Sequence, residues 1–304
     1  MKAPCAGQLT IAEADKAPLL IARSARIYEV YFAALGVRRA LTSARGASIL
    51  SDPPMYDQIG REYARQRRSD PRIAGAVEAA LDDAVSVLNV GAGTGSYEPS
   101  HRQVVAVEPS PVMLAQRSPG SAPVVQARAE DLPFAEAAFD AVLGVLTLHH
   151  WTDQLRGLRE CVRVARERVV MLTFDPASDG FWLTQHYLPQ FMALDRERFP
   201  SIDALTAGFA PYAHVVIRPV PVPKDCIDGF LGAFWARPHA YLDARVQAAI
   251  SSFAHADVDA GLSRLRSDLS DGSWSARYGH LLALNALDIG YRIVIAQLSS
   301  RRAA

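Results

Sequence analysis

The run Val87-Leu88-Asn89-Val90-Gly91-Ala92-Gly93-Thr94-Gly95 constrains this chain more than any other segment. A short apolar stretch enters three glycines at alternate positions. Glycines are needed where a strand turns sharply and a ligand must approach the main chain with no Cβ in the way. Seventeen positions after Gly91 stands Glu108, closing the apolar run Val104-Val105-Ala106-Val107. A carboxylate at that place accepts hydrogen bonds from both hydroxyls of a ribose. Loop and acid together imply an adenosine-containing ligand at the end of the first strand of a parallel sheet.

The rest of the chain suits that frame. Residues 85–90, 104–107, 124–126, 139–146 and 169–174 are short apolar runs separated by helical stretches, among them 154–166. Continuous apolar runs of this length predict strands buried on both faces, hence a doubly wound α/β domain. Asp70 followed by Pro71 predicts a capped helix through Leu81, and 56–68 has helical spacing. Beyond Asp175 the pattern changes. Residues 181–199 read as an aromatic-rich helix broken at Pro189. Residues 214–223 read as one strand, which Pro219, Pro221 and Pro223 confine to a sheet edge. Residues 227–287 look helical with short breaks, and 291–296 form a last strand that rejoins the sheet. The expected division is 1–54 an extension, 55–175 the cofactor-binding core, 176–289 a helical cap with an edge strand, and 290–304 the final strand and tail. Residues 1–54 are rich in Arg and poor in acids. A dispensable leader, a native helical extension and a targeting segment all remain open for them. Asp52-Pro53-Pro54-Met55 reads as a turn.

Composition removes several classes of function. Of 304 residues half are hydrophobic, too many for a disordered chain. Lys plus Arg (32) balances Asp plus Glu (32), so no global field draws in nucleic acid or anionic lipid. Cys5, Cys161 and Cys226 lie far apart with no CxxC, so neither zinc nor disulfide chemistry is indicated. No apolar run reaches the roughly 18 residues of a membrane span. The expectation is a cytoplasmic monomer or homodimer, without metal, that meets a small molecule and neither nucleic acid nor membrane.

A dinucleotide site would favour a third glycine where Ser96 stands, whereas the third glycine here comes one position early, at Gly95. This G-x-G-x-G form resembles motif I of the class I S-adenosylmethionine-dependent methyltransferases. Ala129-Glu130-Asp131-Leu132-Pro133-Phe134 resembles the A-E-x-L-P-F segment of their small-molecule branch, the methyltransferase type 11-like enzymes. Leu148-His149-His150-Trp151 is similar to its L-H-H-W strand ending, and Glu160-Cys161-Val162-Arg163-Val164 to its E-x-x-R-V helix. The resemblance covers residues 56–175. It implies a Rossmann-like, mostly parallel sheet under a helical cap, with S-adenosyl-L-methionine as cofactor. It places Gly91, Ala92, Gly93, Gly95 and Glu108 around that cofactor, with Ala129 and Glu130 flanking the adenine. Tyr63 and Arg67, four apart on one helical face, would fold over it, Arg67 clamping its carboxylate. Two positions depart from the family. Asn89 stands where an acid is common, and Arg128 replaces an Asp that could accept from the adenine amine. Adenine recognition then falls to main-chain groups or to Asp131.

Methyl transfer requires alignment of the acceptor and exclusion of water, and a base only when the acceptor must lose a proton. Imidazole titrates near the working pH. His149 and His150 are therefore the catalytic candidates, His149 preferred. On a strand end they would point to opposite sides. In the cap, His186 and Trp235 are the candidate substrate contacts. The function expected is methyl transfer to O, N or C of a small metabolite. The alternatives are an RNA or protein methyltransferase and a non-catalytic module that binds the same cofactor. An NAD-dependent dehydrogenase is a further rival, against which Ser96 argues.

Overall fold

A computed structural model describes residues 67–299. The extension over 1–54, the Asp52-Pro53-Pro54-Met55 turn, Tyr63 and nearly all of the helix expected over 56–68 lie outside the described residues.

The chain starts with α1 (Pro71–Leu81), whose Asp70 cap accepts from the Arg72 main-chain N–H at 3.0 Å. The Arg72 guanidinium also pairs with Asp70 and holds its carboxyl down at about 2. Then come β1 (Ser86–Val90), β2 (Gln103–Val107), α2 (Pro111–Ala115), β3 (Val124–Val125), β4 (Phe139–Val145), α3 (Gln154–Val164) and β5 (Ala165–Phe174). The cap follows with α4 (Gln190–Arg198), α5 (Ile202–Phe209), β6 (Ala213–Pro219), β7 (Val222–Pro223), α6 (Ala244–Ala248), α7 (Asp259–Ser270), α8 (Ser273–Tyr278) and β8 (Ala286–Leu287). The last strand is β9 (Tyr291–Leu298).

Seven strands form one sheet in the order β3-β2-β1-β4-β5-β9-β6. β1 through β5 are mutually parallel, and β9 runs antiparallel to both β5 and β6. After its first residue every position of β1 and of β2 is buried. A strand covered on both faces shows no alternation, which is why these segments read as continuous apolar runs. One face packs Leu88, Val105 and Val142 against Leu158, Cys161 and Phe139. The other packs Val87, Val104 and Ala141 against Ile73, Val77 and Leu81 of α1, and that layer continues into the cap.

The cap differs from expectation in two places. The 214–223 strand is split: β6 sits at the sheet edge and ends at Pro219, while β7 pairs with β8 in a separate two-stranded ribbon. Pro219 and Pro221 have no N–H to continue the ladder. The 181–199 helix is also two pieces, a single π turn (Leu183–Tyr187) and α4, with Pro189 between them. The cap core is aromatic: the Trp182 indole donates to the Trp235 carbonyl at 2.8 Å, and its ring packs edge-on to Tyr187, Tyr241 and Trp274.

Candidate functional site

The loop after β1 has the geometry its glycines require. Gly91, Gly93 and Gly95 all have positive φ, at 67°, 53° and 97°. The Gly91 and Ala92 N–H groups donate to the Val107 carbonyl at 2.8 and 3.0 Å, which ties the loop to the end of β2. A Cβ on Gly91 would fall on Thr147 Oγ1, so side-chain-free backbone is obligatory here. Glu108 closes the loop from the other side. Its Oε2 accepts from Gly93 N at 2.8 Å and its Oε1 from Ser110 N at 2.9 Å. Both main-chain donors hold the carboxylate at the mouth of the loop, at the end of β2. Behind the loop Asn89 donates to Glu98 at 3.2 Å, and Glu98 in turn pairs with Arg117 at 2.7 Å. The acid missing at position 89 is thus present one layer back, already neutralised.

A cavity of about 220 Å³ opens over this loop, bordered by Gly91, Ala92, Gly93, Glu108, Ala129 and His149 among others. Arg128 and Glu130 also border it. The Glu130 carboxylate turns toward the start of α3, where Oε1 accepts from Thr152 N (2.7 Å), Thr152 Oγ1 (2.9 Å) and Asp153 N (3.2 Å). It fixes the turn before α3. Asp131 is exposed and does not border this cavity.

His149 and His150 do not lie on a strand end. β4 stops at Val145, Leu146 takes a left-handed φ of 49°, and Leu148–His150 is a 3-10 turn. The two rings therefore lie together, centroids 3.7 Å apart, and both border the cavity instead of facing opposite ways. His149 also stacks on Phe199 at 4.2 Å. Burial draws the His149 pKa well below the ordinary imidazole value, and the neighbouring His150, Arg198 and Arg67 add to this. Burial, with Arg198 and Arg67, lowers His150 to about 3. Both rings are neutral at physiological pH. His149 Nδ1 is buried with no hydrogen-bond partner among the described residues.

Arg67 borders the cavity and is held by Asp228, Nε to Oδ1 at 2.7 Å and Nη2 to Oδ2 at 3.4 Å. A second chamber of about 80 Å³ adjoins the first and shares Arg67, Leu146 and His149 with it. Its wall carries Phe174, Phe199, Phe230 and Tyr291, and its polar groups include Asp195 and Arg198.

Neither substrate candidate from the cap reaches these spaces. His186 is exposed, its ring 5.7 Å from that of Tyr278. Trp235 is fully buried, its indole donating to the Val222 carbonyl at 2.9 Å. Aromatics at helical spacing in this cap build its core, so Trp235 is corrected to a packing residue and His186 to a surface one. Thr147, Asp228, Asp195 and Phe199 were not singled out from the sequence. For Asp195 a signal existed: Phe191, Asp195 and Phe199 recur every four residues, which puts an acid in an apolar helical stripe. Among the described residues no cluster of His, Cys, Asp and Glu could hold a metal ion, and no helix is long and apolar enough to cross a membrane.

A family model described as a methyltransferase domain matches residues 88–172. A demethylmenaquinone methyltransferase of Deinococcus radiodurans is 31% identical over 161 residues, covering 46% of this chain and 67% of that protein. The 2-methyl-6-phytyl-1,4-hydroquinone methyltransferase 2 of rice is 29% identical over 123 residues, 36% of this chain and 35% of the rice protein. The match thus spans about a third of that plant relative. Among solved structures, a candidate methyltransferase from an antibiotic biosynthesis pathway of Anabaena variabilis is 34% identical. It superposes with a TM-score of 0.70, covering 77% of this chain and 99% of that one.

Proposed function

From the premise that this chain belongs to the class I S-adenosylmethionine-dependent methyltransferases, we propose that it methylates a small molecule at O, N or C. The observation that carries this reading is the aromatic-walled chamber that meets the cofactor cavity at His149. A space of that size and lining suits a ring-sized metabolite better than a polymer. The acceptors named for the Deinococcus and rice relatives, a demethylmenaquinone and a 1,4-hydroquinone, are in keeping with it.

The cavity residues fit the family's cofactor. Gly91 leaves the main chain bare where Thr147 closes in, and Glu108 presents a carboxylate to the cavity at the end of β2. In this reading Glu108 takes the ribose hydroxyls, Ala92 and Gly93 border the methionine portion, Gly95 shapes the turn, and Ala129 and the Glu130 main chain line the adenine. Arg67 faces the carboxylate, steadied by Asp228. The bound cofactor supplies a methyl carbon made electrophilic by its sulfonium. His149, neutral and placed where the two spaces join, accepts a hydrogen bond from the acceptor and aligns it. His150 packs behind that ring at 3.7 Å and limits its rotation. The aromatic wall keeps water from the transfer. The balanced charge and the dispersed cysteines favour a cytoplasmic protein without a nucleic-acid partner.

The test is to incubate the full chain with methyl-tritiated S-adenosylmethionine and a cell extract. Label is expected in the small-molecule fraction. Label confined to RNA or to protein, or no label beyond a blank, would overturn the proposal.

A further inference from the structure

The chamber beside the cofactor cavity contains a group that the reading above leaves idle. Asp195 lies on α4, in line with Phe191 and Phe199, and is 7% exposed. It borders the chamber, and among the described residues nothing hydrogen-bonds its carboxylate. A buried carboxyl without a donor is costly, and native structures keep few such groups without a use. Every other carboxyl near the site is engaged: Glu108 by the loop, Glu130 by the start of α3 and Asp228 by Arg67. Among the described residues Asp195 is also the only carboxylic acid on the chamber wall, which it shares with Phe174, Phe199, Phe230 and Tyr291.

The surroundings indicate what it awaits. The rings favour a flat apolar body. Arg198, one turn further along α4, borders the same chamber and makes no ion pair with Asp195. Its positive charge disfavours an ammonium group and suits oxygen. We propose that Asp195 is the specificity-determining residue of the acceptor chamber, pairing with a hydroxyl group carried on an aromatic ring that packs among Phe174, Phe199 and Tyr291. This rests on the reading of the chamber as the acceptor site. Burial raises the Asp195 pKa to about 7, against the opposing pull of Arg198, so near neutrality the carboxyl both accepts and donates a hydrogen bond. A hydroxyl, itself donor and acceptor, matches either state, whereas a ring with no polar group leaves the carboxyl unmet.

The experiment compares two ligands that differ by one hydroxyl, 4-methylphenol and toluene. Each is titrated by calorimetry into the full chain saturated with S-adenosylhomocysteine. The wild-type protein should favour 4-methylphenol about tenfold or more, and Asp195→Leu should reduce that preference to within about twofold. Undiminished S-adenosylhomocysteine affinity certifies that the variant is folded. If Asp195→Leu does not fold, Asp195→Asn carries the test, with the preference expected to fall about threefold or more. An unchanged preference in the folded variant, or a wild-type protein that does not favour the phenol, overturns the proposal. Failure of the methyltransferase reading shows separately, as absence of label from methyl-tritiated S-adenosylmethionine in the small-molecule fraction.

Discussion

Arg67 and Asp228, 161 positions apart, meet through a charge-assisted hydrogen bond of 2.7 Å, and Arg67 borders both cavities. The side chains are 9% and 0% exposed, and Asp228 also accepts from Tyr97 Oη at 2.8 Å and from Arg68 N at 3.2 Å. One carboxylate therefore binds the segment before α1, the loop after β1 and the cap.

Asp228 accepts from Arg67, Tyr97 and Arg68, and breaking a buried ion pair costs about 3–5 kcal/mol. Asp228→Ala is expected to lose stability on that scale and to weaken cofactor binding, because Arg67 loses its anchor. Urea unfolding reports the first and calorimetry the second. A midpoint that does not move would mean that the pair is not a structural tie.

Gly91→Ala should abolish measurable S-adenosylhomocysteine binding. The new methyl falls on Thr147 Oγ1 at a backbone φ of 67°. Gly120→Ala is the matched control, because it shares a positive φ of 90° but meets nothing within 4 Å. It should cost only about 1 kcal/mol of stability and leave affinity intact.

Glu108→Gln retains shape but loses charge and replaces one acceptor oxygen with an amide donor. Gly93 N and Ser110 N both donate to the present carboxylate, so the loop loosens as ribose contacts are lost. Cofactor affinity should fall about tenfold or more, read by calorimetry. A change within about twofold would place the ribose elsewhere.

The buried titratable groups act on stability in opposite senses over overlapping pH ranges. His149 and His150 are neutral in the fold, His150 down to about 3, whereas an unfolded imidazole protonates near 6.5. The unfolded chain then binds more protons below 6.5, so stability falls as pH drops toward 3. Asp195 acts in the opposite sense. Its pKa is 3.8 when free and about 7 in the fold, so the contribution present below 3.8 is lost as pH rises through 7. Asp195→Asn should remove the loss of stability between pH 3.8 and 7 and raise stability at pH 8 by about 1–3 kcal/mol relative to wild type. Urea midpoints at pH 5 and pH 8 check it, and an unchanged difference between them would exclude Asp195 as its source.

What could be foreseen from the residues follows from how local each determinant is. Gly91 and Glu108 are legible because a bare turn and a strand-end acid act through their immediate backbone. Asp70 before Pro71 marks α1 for the same reason. The mutual placement of His149 and His150 was not legible. It depends on Leu146 adopting a left-handed φ, a strained choice that an apolar residue does not advertise. Trp235 and Trp182 show the same limit for the cap: both have aromatic helical spacing, and only the fold shows that one's carbonyl satisfies the other's indole. Asp228 acquires its role from Arg67 and Tyr97, partners 161 and 131 positions away, which no local pattern contains.

The position of β9 has a consequence for how the molecule is made. It lies between β5 and β6 and pairs with both, yet it is synthesised after the whole cap. Until Leu298 has left the ribosome, β5 presents an unpaired edge of apolar residues next to the strands that shape the cofactor cavity. Such an edge invites pairing with a neighbouring chain. A chain stalled before Tyr291 lacks the strand that covers the β5 edge and joins β6 to the sheet.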